Sequence, residues 1–461
     1  MRSLVEDGMK VDTDQPVLLE GETSGLLLLF FPLLGTAFAN YLFLLVEKLF
    51  IARVSVQAME AAVSVAYVCQ IFQGASAALA MMAQVFVGRW YGANEYARIG
   101  PGVWQFIWFS FFSMLITVPA SLIYGRWYFQ GTDIEKIALP YFYILVGTNF
   151  LYPLIVTLSS FYLGQGKTKL VLLGNLGAQF VKIVLGYCLI IGWGWIPSLG
   201  MVGGAISTVV AQGGLCLLLG GNFLSSKYAA VFHSRMFRFQ LWLFWECIHP
   251  GLLRALNRIS NFLSWTSIAH LMAFRGGDYL LILSIGGTIS FFLPFLDEAI
   301  CQAQTTVVSQ LLGAKKFLLL NRAFRSGFIL VSVVIGITSI PFLAFPHQTL
   351  HLLFPSISLD GGLQNVFLGV WMCFAFFTFA SIPITYVLAF KDMNFTLFMG
   401  LMNWVNGYLL MYWAIAKIHI HPNQFWLVLS LMHATTALVY FWRMKKLCRD
   451  ALTNELALQK S

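Results

Sequence analysis

GRWYGANEYAR at Gly88 to Arg98 and SQLLGAKKFLLLNR at Ser309 to Arg322 each close a long apolar segment with a Gly-Ala turn and then basic residues. Gly92-Ala93 and Gly313-Ala314 lie 221 positions apart in a chain of 461, close to half its length, which reads as two copies of one unit. A second pair keeps the register. GQGKTK at Gly164 to Lys169 leads into a stretch with Val181-Lys182, and AFKDMN at Ala389 to Asn394 leads into one with Val405-Asn406, which is 224 positions on. Duplicated halves in an apolar chain mark secondary transporters, whose path lies at the seam between repeats.

Composition points the same way. Hydrophobic residues make up 59% and charged residues 10%, with a mean hydropathy of +0.78, against about 25% charged in soluble domains. At about 20 apolar residues per crossing, stretches beginning near Gly25, Ala61, Val103, Leu139, Leu170, Leu199, Ile248, Tyr279, Ala323, Gly362, Phe395 and Gln424 give twelve helices, six per half. An even number per repeat makes the repeats parallel, related by an axis along the membrane normal. Lys and Arg concentrate on one side, among them Arg89, Arg98, Lys167, Lys169, Lys315, Lys316, Lys391, Arg443, Lys445 and Lys446. This predicts a multi-pass protein of the cell (cytoplasmic or inner) membrane with both termini cytoplasmic. The net charge of +9 is then topology rather than a nucleic-acid surface.

The expected organisation is a cytoplasmic acidic tail at 1–24, a six-helix lobe at 25–222, a cytoplasmic linker at 223–246, a second lobe at 247–443 and a cytoplasmic tail at 444–461. The first residues, with Glu6, Asp7, Asp12 and Asp14, lack the basic start and cleavage site of a signal peptide. Seven scattered cysteines without a CxxC pair predict neither disulfide nor metal cluster, and His347/His351 and His419/His421 lack the further ligands zinc needs. No phosphate-binding loop and no Ser-His-Asp set is apparent, so neither an enzyme nor a cofactor is expected beyond a coupling ion, Na+ or H+. The expected partners are small organic substrates and membrane lipids, with no nucleic acid, and the chain reads as a monomer.

Charges left inside the membrane are costly and tend to face a cavity or a partner. Glu47 lies late in the first helix, and Lys182 lies mid-way along the fifth, about 20 Å from its end at 1.5 Å per residue. Neighbouring helices would let the two pair, leaving open an inert ion pair or a proton or substrate site. On the seventh helix Arg254, Arg258, Asn261 and Trp265 recur at i, i+4, i+7 and i+11 with Asn257 alongside, a polar stripe suited to a central cavity. Snorkelling of Arg254 to lipid phosphates is the bland alternative. Asp297 and Glu298, in FFLPFLDEAICQAQ, fall near mid-membrane in the eighth helix. Adjacent carboxylates there need a neutralising cation, Arg258 or a coupling ion, or a held proton.

SGLLLLFFPLLGTAFANYLFLLVEKLFIARV at Ser24 to Val54 resembles the first helix of MATE (multidrug and toxic compound extrusion) transporters of the MOP flippase/exporter superfamily, with Pro32 at the family's proline and Glu47 where the family carries aspartate. QVFVGRWYGA at Gln84 to Ala93 is similar to the family's second-helix ending. YLGQGKTKLVLLGN, VKIVLGYCLIIG and IPSLGMVGGAISTVVAQ, between Tyr162 and Gln212, are similar to its fifth and sixth helices and the segment before them. The resemblance spans about Gly25 to Arg443. It departs at Lys182 and Gly186, where many members have asparagine and then aspartate, and after Pro250, where Arg254 and Arg258 stand near a usual glutamate. It departs again in CFAFFTFASIPITYVLAF, which lacks the family's tenth-helix aspartate.

The resemblance implies an all-α membrane fold of twelve helices in two six-helix lobes forming a V. It implies a secondary active antiporter that exports amphipathic or cationic organic compounds in exchange for Na+ or H+ by alternating access, with Glu47, Asp297 and Glu298 as its carboxylates. Local charge admits the alternative of an anionic or lipid-linked substrate, exported or flipped with Lys182, Arg254 and Arg258 as counter-charges, as in related flippases of the superfamily. A non-transporting scaffold gives the duplicated cavity no purpose.

Overall fold

A computed structural model describes residues 20–193, 197–353 and 363–460, and its regular elements are helices. Twelve spans follow in order. The first half holds α1 (Thr23–Val54), α2 (Val56–Gly92), α3 (Tyr96–Phe129), α4 (Glu135–Gly147 with Leu151–Gly164), α5 (Thr168–Ile190) and α6 (Met201–Phe223). The second holds α7 (Leu241–Arg275), α8 (Asp278–Phe292 with Pro294–Gly313), α9 (Leu318–Ala344), α10 (Leu363–Ala389), α11 (Met393–Trp413) and α12 (Phe425–Lys460). Eight are long and apolar enough alone to cross a membrane, and α4 and α8 become so when each bent pair, 42° at the break, counts as one span. The remaining two, α7 and α11, are 35 and 21 residues long. They carry Arg254, Asn257, Arg258, Asn403 and Asn406, which lower their hydropathy, and they pack on each other. The six spans of each half form one lobe.

Two expected boundaries move. α7 begins at Leu241, inside the stretch read as linker, and that stretch holds the short helix Ser226–Phe232. The linker is docked rather than free: Trp104 Nε1 donates to Ser234 O at 2.6 Å, and Gln105 Nε2 to Arg238 O at 3.1 Å. At the other end α12 runs on to Lys460, because RMKKLCRDALTNELALQK contains no glycine or proline to stop it.

The lobes meet where α2 and α1 of the first touch α8 of the second. The Gly-Ala turns that revealed the duplication lie at this seam. Both make the same bonds: Glu95 N donates to Trp90 O at 2.9 Å and Lys316 N to Leu311 O at 3.0 Å, with Asn94 and Lys315 left-handed at φ 59° and 55°. Gly88/Gly92 and Ser309/Gly313 are small residues four apart on the two helices, a spacing that brings backbones together. A Cβ at Gly92 would lie 2.0 Å from Gln310 O, and one at Gly313 1.9 Å from Arg89 O, so only glycine fits at either place. Polar side chains finish the contact. Gln84 Nε2 donates to Thr306 Oγ1 and to Gln302 O, both at 2.8 Å, Thr306 Oγ1 donates to Leu163 O at 3.0 Å, and Gln310 Nε2 to Gly164 O at 2.9 Å. Inside a bilayer such bonds contribute about 0.6–2 kcal/mol each. The protein is thus closed at the end carrying these turns, called the basic end below.

A strap adds to the closure there. Gly21 O accepts from Ser326 Oγ at 2.8 Å, Thr23 Oγ1 donates to Ser326 Oγ at 3.1 Å, and Glu22 pairs with Arg322, joining the start of α1 to α9 of the other lobe.

Candidate functional site: charges at and beside the cleft

Glu47 and Lys182 meet. Lys182 Nζ lies 2.6 Å from Glu47 Oε2, with the side chains only 17% and 11% exposed, and Thr208 Oγ1 of α6 donates to Glu47 Oε1 at 3.3 Å. The site lies within the first lobe, lined by Phe43, Phe50, Gly186 and Ser207. Gly186, where the resemblance leads one to look for an acid, leaves room beside the pair and brings no second carboxylate. The lysine ammonium is therefore the cation that satisfies this carboxylate.

The stripe on α7 divides by depth. Arg254 reaches across the seam to the break in α2 between Ala80 and Met82, where its Nη1 and Nη2 lie 3.7 and 3.8 Å from the Met82 and Met81 sulfurs. Thioethers accept hydrogen bonds weakly and carry no charge, so the guanidinium keeps its full positive field. Arg258, one turn on, is exposed and lies near Gly74 of α2, where a Cβ would sit 4.0 Å from its Nε. Asn257 turns toward α11, its Oδ1 buried without a protein hydrogen bond and 1.9 Å from where a Cβ on Gly400 would stand. Asn261 is exposed, and the Trp265 ring lies tilted at 38°, 5.9 Å from that of Trp426 of α12.

Asp297 and Glu298 part company. Asp297 closes the first turn after the Pro294 break and Glu298 follows it, and successive helical residues point about 100° apart. Asp297 is 6% exposed and turns into the second lobe, with Cys301 Sγ 3.6 Å from its Oδ2 and Ser381 of α10 beside it. Glu298, about a quarter-turn round the helix, is exposed, its Oε1 accepting from Gln302 at 3.1 Å. Two tyrosines, Tyr41 of α1 and Tyr152 of α4, lie within electrostatic reach of both Glu298 and Arg258. Phe295 of α8 meets Tyr41 at 6.1 Å and Phe38 at 5.8 Å. One inter-lobe cleft thus gathers a carboxylate, a guanidinium and an aromatic wall from α1, α4, α7 and α8. Among the described residues the ion pairs within 4 Å are Arg98–Glu95, Lys182–Glu47, Arg322–Glu22 and Arg443–Asp392, so Arg258 and Glu298 are in none.

The MatE family model matches residues 32–188. That stretch runs from the α1 proline to the end of α5 and contains the Glu47–Lys182 pair. Over that stretch, about a third of its length, the chain is similar to the MATE family. The probable multidrug resistance protein NorM of Mannheimia succiniciproducens is 23% identical over 464 aligned residues, 93% of this chain and 95% of that one. An uncharacterized transporter of Bacillus subtilis, YisQ, is 24% identical over 179 residues, 38% of each chain. Among solved structures, an outward-facing multidrug resistance MATE transporter of the MOP superfamily superposes with a TM-score of 0.84 at 15% identity, covering 95% of this chain and 98% of that one. A MOP superfamily transporter from Pyrococcus furiosus, described as having a binding pocket of reverse polarity, gives 0.80 at 15% identity over 94% and 98%. The twelve helices in two repeats expected from the duplication and hydropathy, and the MATE-like fold that the resemblance implied, agree with the fold observed.

Tyr41, Tyr152 and the Met81/Met82 pair were not singled out from sequence. The break that places Tyr152 has a trace in Gly147-Thr148-Asn149, residues that favour turns. Methionine contacts to an arginine leave no trace in spacing.

Proposed function

We propose that this protein is a secondary active exporter of amphipathic organic molecules, exchanging them for Na+ or H+ by alternating access of the cleft. Glu298 carries the reading. It is the exposed carboxylate facing both lobes, whereas Glu47 already holds the ammonium of Lys182 and Asp297 faces the interior of its own lobe. In this reading the cation that drives export engages Glu298, and the substrate lies against Tyr41, Tyr152 and Phe295. Both termini are cytoplasmic and the basic end is the cytoplasmic gate. The test is uptake into proteoliposomes under a sodium or a pH gradient. Glu298→Gln should abolish gradient-driven transport while the protein still inserts and folds, and wild-type rates in that variant overturn the reading.

The net charge around the cleft favours a second reading. With Lys182 compensated, Arg254 and Arg258 outnumber Glu298, so an anionic amphipath or a lipid-linked anion suits the cleft better than a plain cation. The reverse-polarity relative from Pyrococcus furiosus supports that direction. Competition between matched anionic and cationic dyes decides it: loss of the anionic dye alone in Arg258→Gln supports the second reading, and unchanged preference refutes it.

A further inference from the structure

The turn that ends α4 and the turn that ends α10 are copies. Gly166 N donates to Leu163 O and Lys167 N to Tyr162 O, both at 2.9 Å. Lys391 N donates to Leu388 O at 2.9 Å and Asp392 N to Val387 O at 3.1 Å. The left-handed position is Gly166 in the first turn, at φ 84°, and Lys391 in the second, at φ 63°. A lysine has no conformational reason to stand there, because its Cβ disfavours that region. Strain of this kind is retained where the side chain has work to do.

The Lys391 side chain crosses the seam. Its Nζ lies 3.6 Å from the ring centroid of Phe86 on α2, a ring 1% exposed and packed on Trp90 at 5.3 Å and Phe106 at 6.0 Å. Among the described residues it is the one cation–π contact that joins the two lobes. The charges around it pull the other way. Arg89 of α2 and Arg98 of α3 repel the ammonium from the lobe it touches, while Glu246 and the Cys247 thiol of α7 lie on its own lobe. Glu246 Oε2 is buried and has no hydrogen-bond partner in the protein, and no ion pair within 4 Å joins it to Lys391. Burial, with Arg89 adding to it, pushes the lysine down to about 8, so its ammonium is held at a cost here.

We propose that Lys391 is a two-position latch of the basic end: its ammonium caps Phe86 while that end is closed and passes to Glu246 of its own lobe when the lobes part there. The latch rests on alternating access of the cleft and is independent of what the cleft carries.

Spin labels on genetically encoded non-natural residues at positions 95 and 316, in the full chain in nanodiscs, report the separation of the lobes at that end. Phe86→Leu removes the cap alone and should raise the open-to-closed ratio about fivefold, the worth of one ordinary cation–π contact. Lys391→Gln also takes the partner of Glu246 from the open form and should lower that ratio. Lys391→Gly should do the same, and both should lose that effect in a Glu246→Gln background, which a merely structural role does not predict. Lys391→Arg should stay near wild type, and Glu246→Gln should lower the open fraction. A wild-type ratio in both Lys391→Gln and Lys391→Gly overturns the latch, as does an open fraction that rises in Glu246→Gln. A single separation in every protein, wild type included, overturns both the latch and alternating access, whereas a wild type that opens normally confines failure to the latch.

Discussion

Removing one partner of the Glu47–Lys182 pair should cost more than removing both. The contact is 2.6 Å and the side chains are 17% and 11% exposed, which places it among buried pairs, where loss of one partner costs about 3–5 kcal/mol because the other charge stays uncompensated. In Lys182→Gln the Glu47 carboxylate keeps the Thr208 hydroxyl at 3.3 Å as a donor, so this variant should sit at the lower end. In Glu47→Gln the lysine keeps no carboxylate, and the cost should be larger. Glu47→Gln/Lys182→Gln leaves two neutral polar groups and should lose about 2 kcal/mol less than the sum of the singles. Scaling unfolding entropy with chain length gives a fall of about 1 °C in apparent Tm per kcal/mol for a chain of this size. The singles should therefore drop by about 3–5 °C, and the double should recover much of that. Thermal unfolding in one detergent at fixed protein concentration measures the cycle. Strictly additive shifts would falsify the account of Lys182 as the resident cation of this carboxylate.

Asp297→Asn should leave gradient-driven transport largely intact, since that carboxyl faces Cys301 and Ser381 rather than the cleft, and a loss equal to that of Glu298→Gln would count against the division of labour between the two. Gly92→Ala and Gly313→Ala each put a methyl about 2 Å from a backbone oxygen, an overpacking worth about 1–3 kcal/mol. Both should favour separation of the basic end, read as faster alkylation of a cysteine placed at Ser309. Lys391 titrates at about 8 in the closed form and higher once it passes to Glu246, so the open form holds the proton more tightly. Raising the pH from about 7 to 9 should therefore lower the open fraction at the basic end. Arg89, Arg98, Glu246 and Cys247 face the same ammonium, so Lys391→Arg, which stays charged, must abolish that fall if Lys391 is its source. The sign for folding agrees: a lysine depressed in the folded state weakens it at pH values below 8, and that cost lifts as pH climbs toward the ordinary lysine range.

The duplication and the span count were legible because they rest on repetition and on hydropathy, which act over tens of residues. The Glu47–Lys182 pair was legible for a related reason: two opposite charges in apolar helices have few ways to avoid each other. What the sequence does not carry is direction. Asp297 and Glu298 are adjacent in the chain and read as one site, yet helical geometry points one into the second lobe and the other into the cleft. Arg254 read as a cavity or lipid-facing cation, and its actual neighbours, two methionine sulfurs at a break in α2, have no periodic signature. Lys391 stood in the quoted turn without standing out, because a left-handed lysine is visible only in dihedral angles.

The break in α8 bears on hydration. Pro294 has no N–H to offer the Ser290 carbonyl one turn before it, and the two halves of the helix diverge by 42° there. A carbonyl released at that depth costs several kcal/mol if it faces hydrocarbon. Neighbouring helices, hydroxyl side chains or water must therefore satisfy it. Where the proposed coupling ion is H+, water admitted at this break would give the proton a path to Glu298. Its arrival should be slowed by bulky substitutions at Phe295 that displace this water, even where they touch no charge.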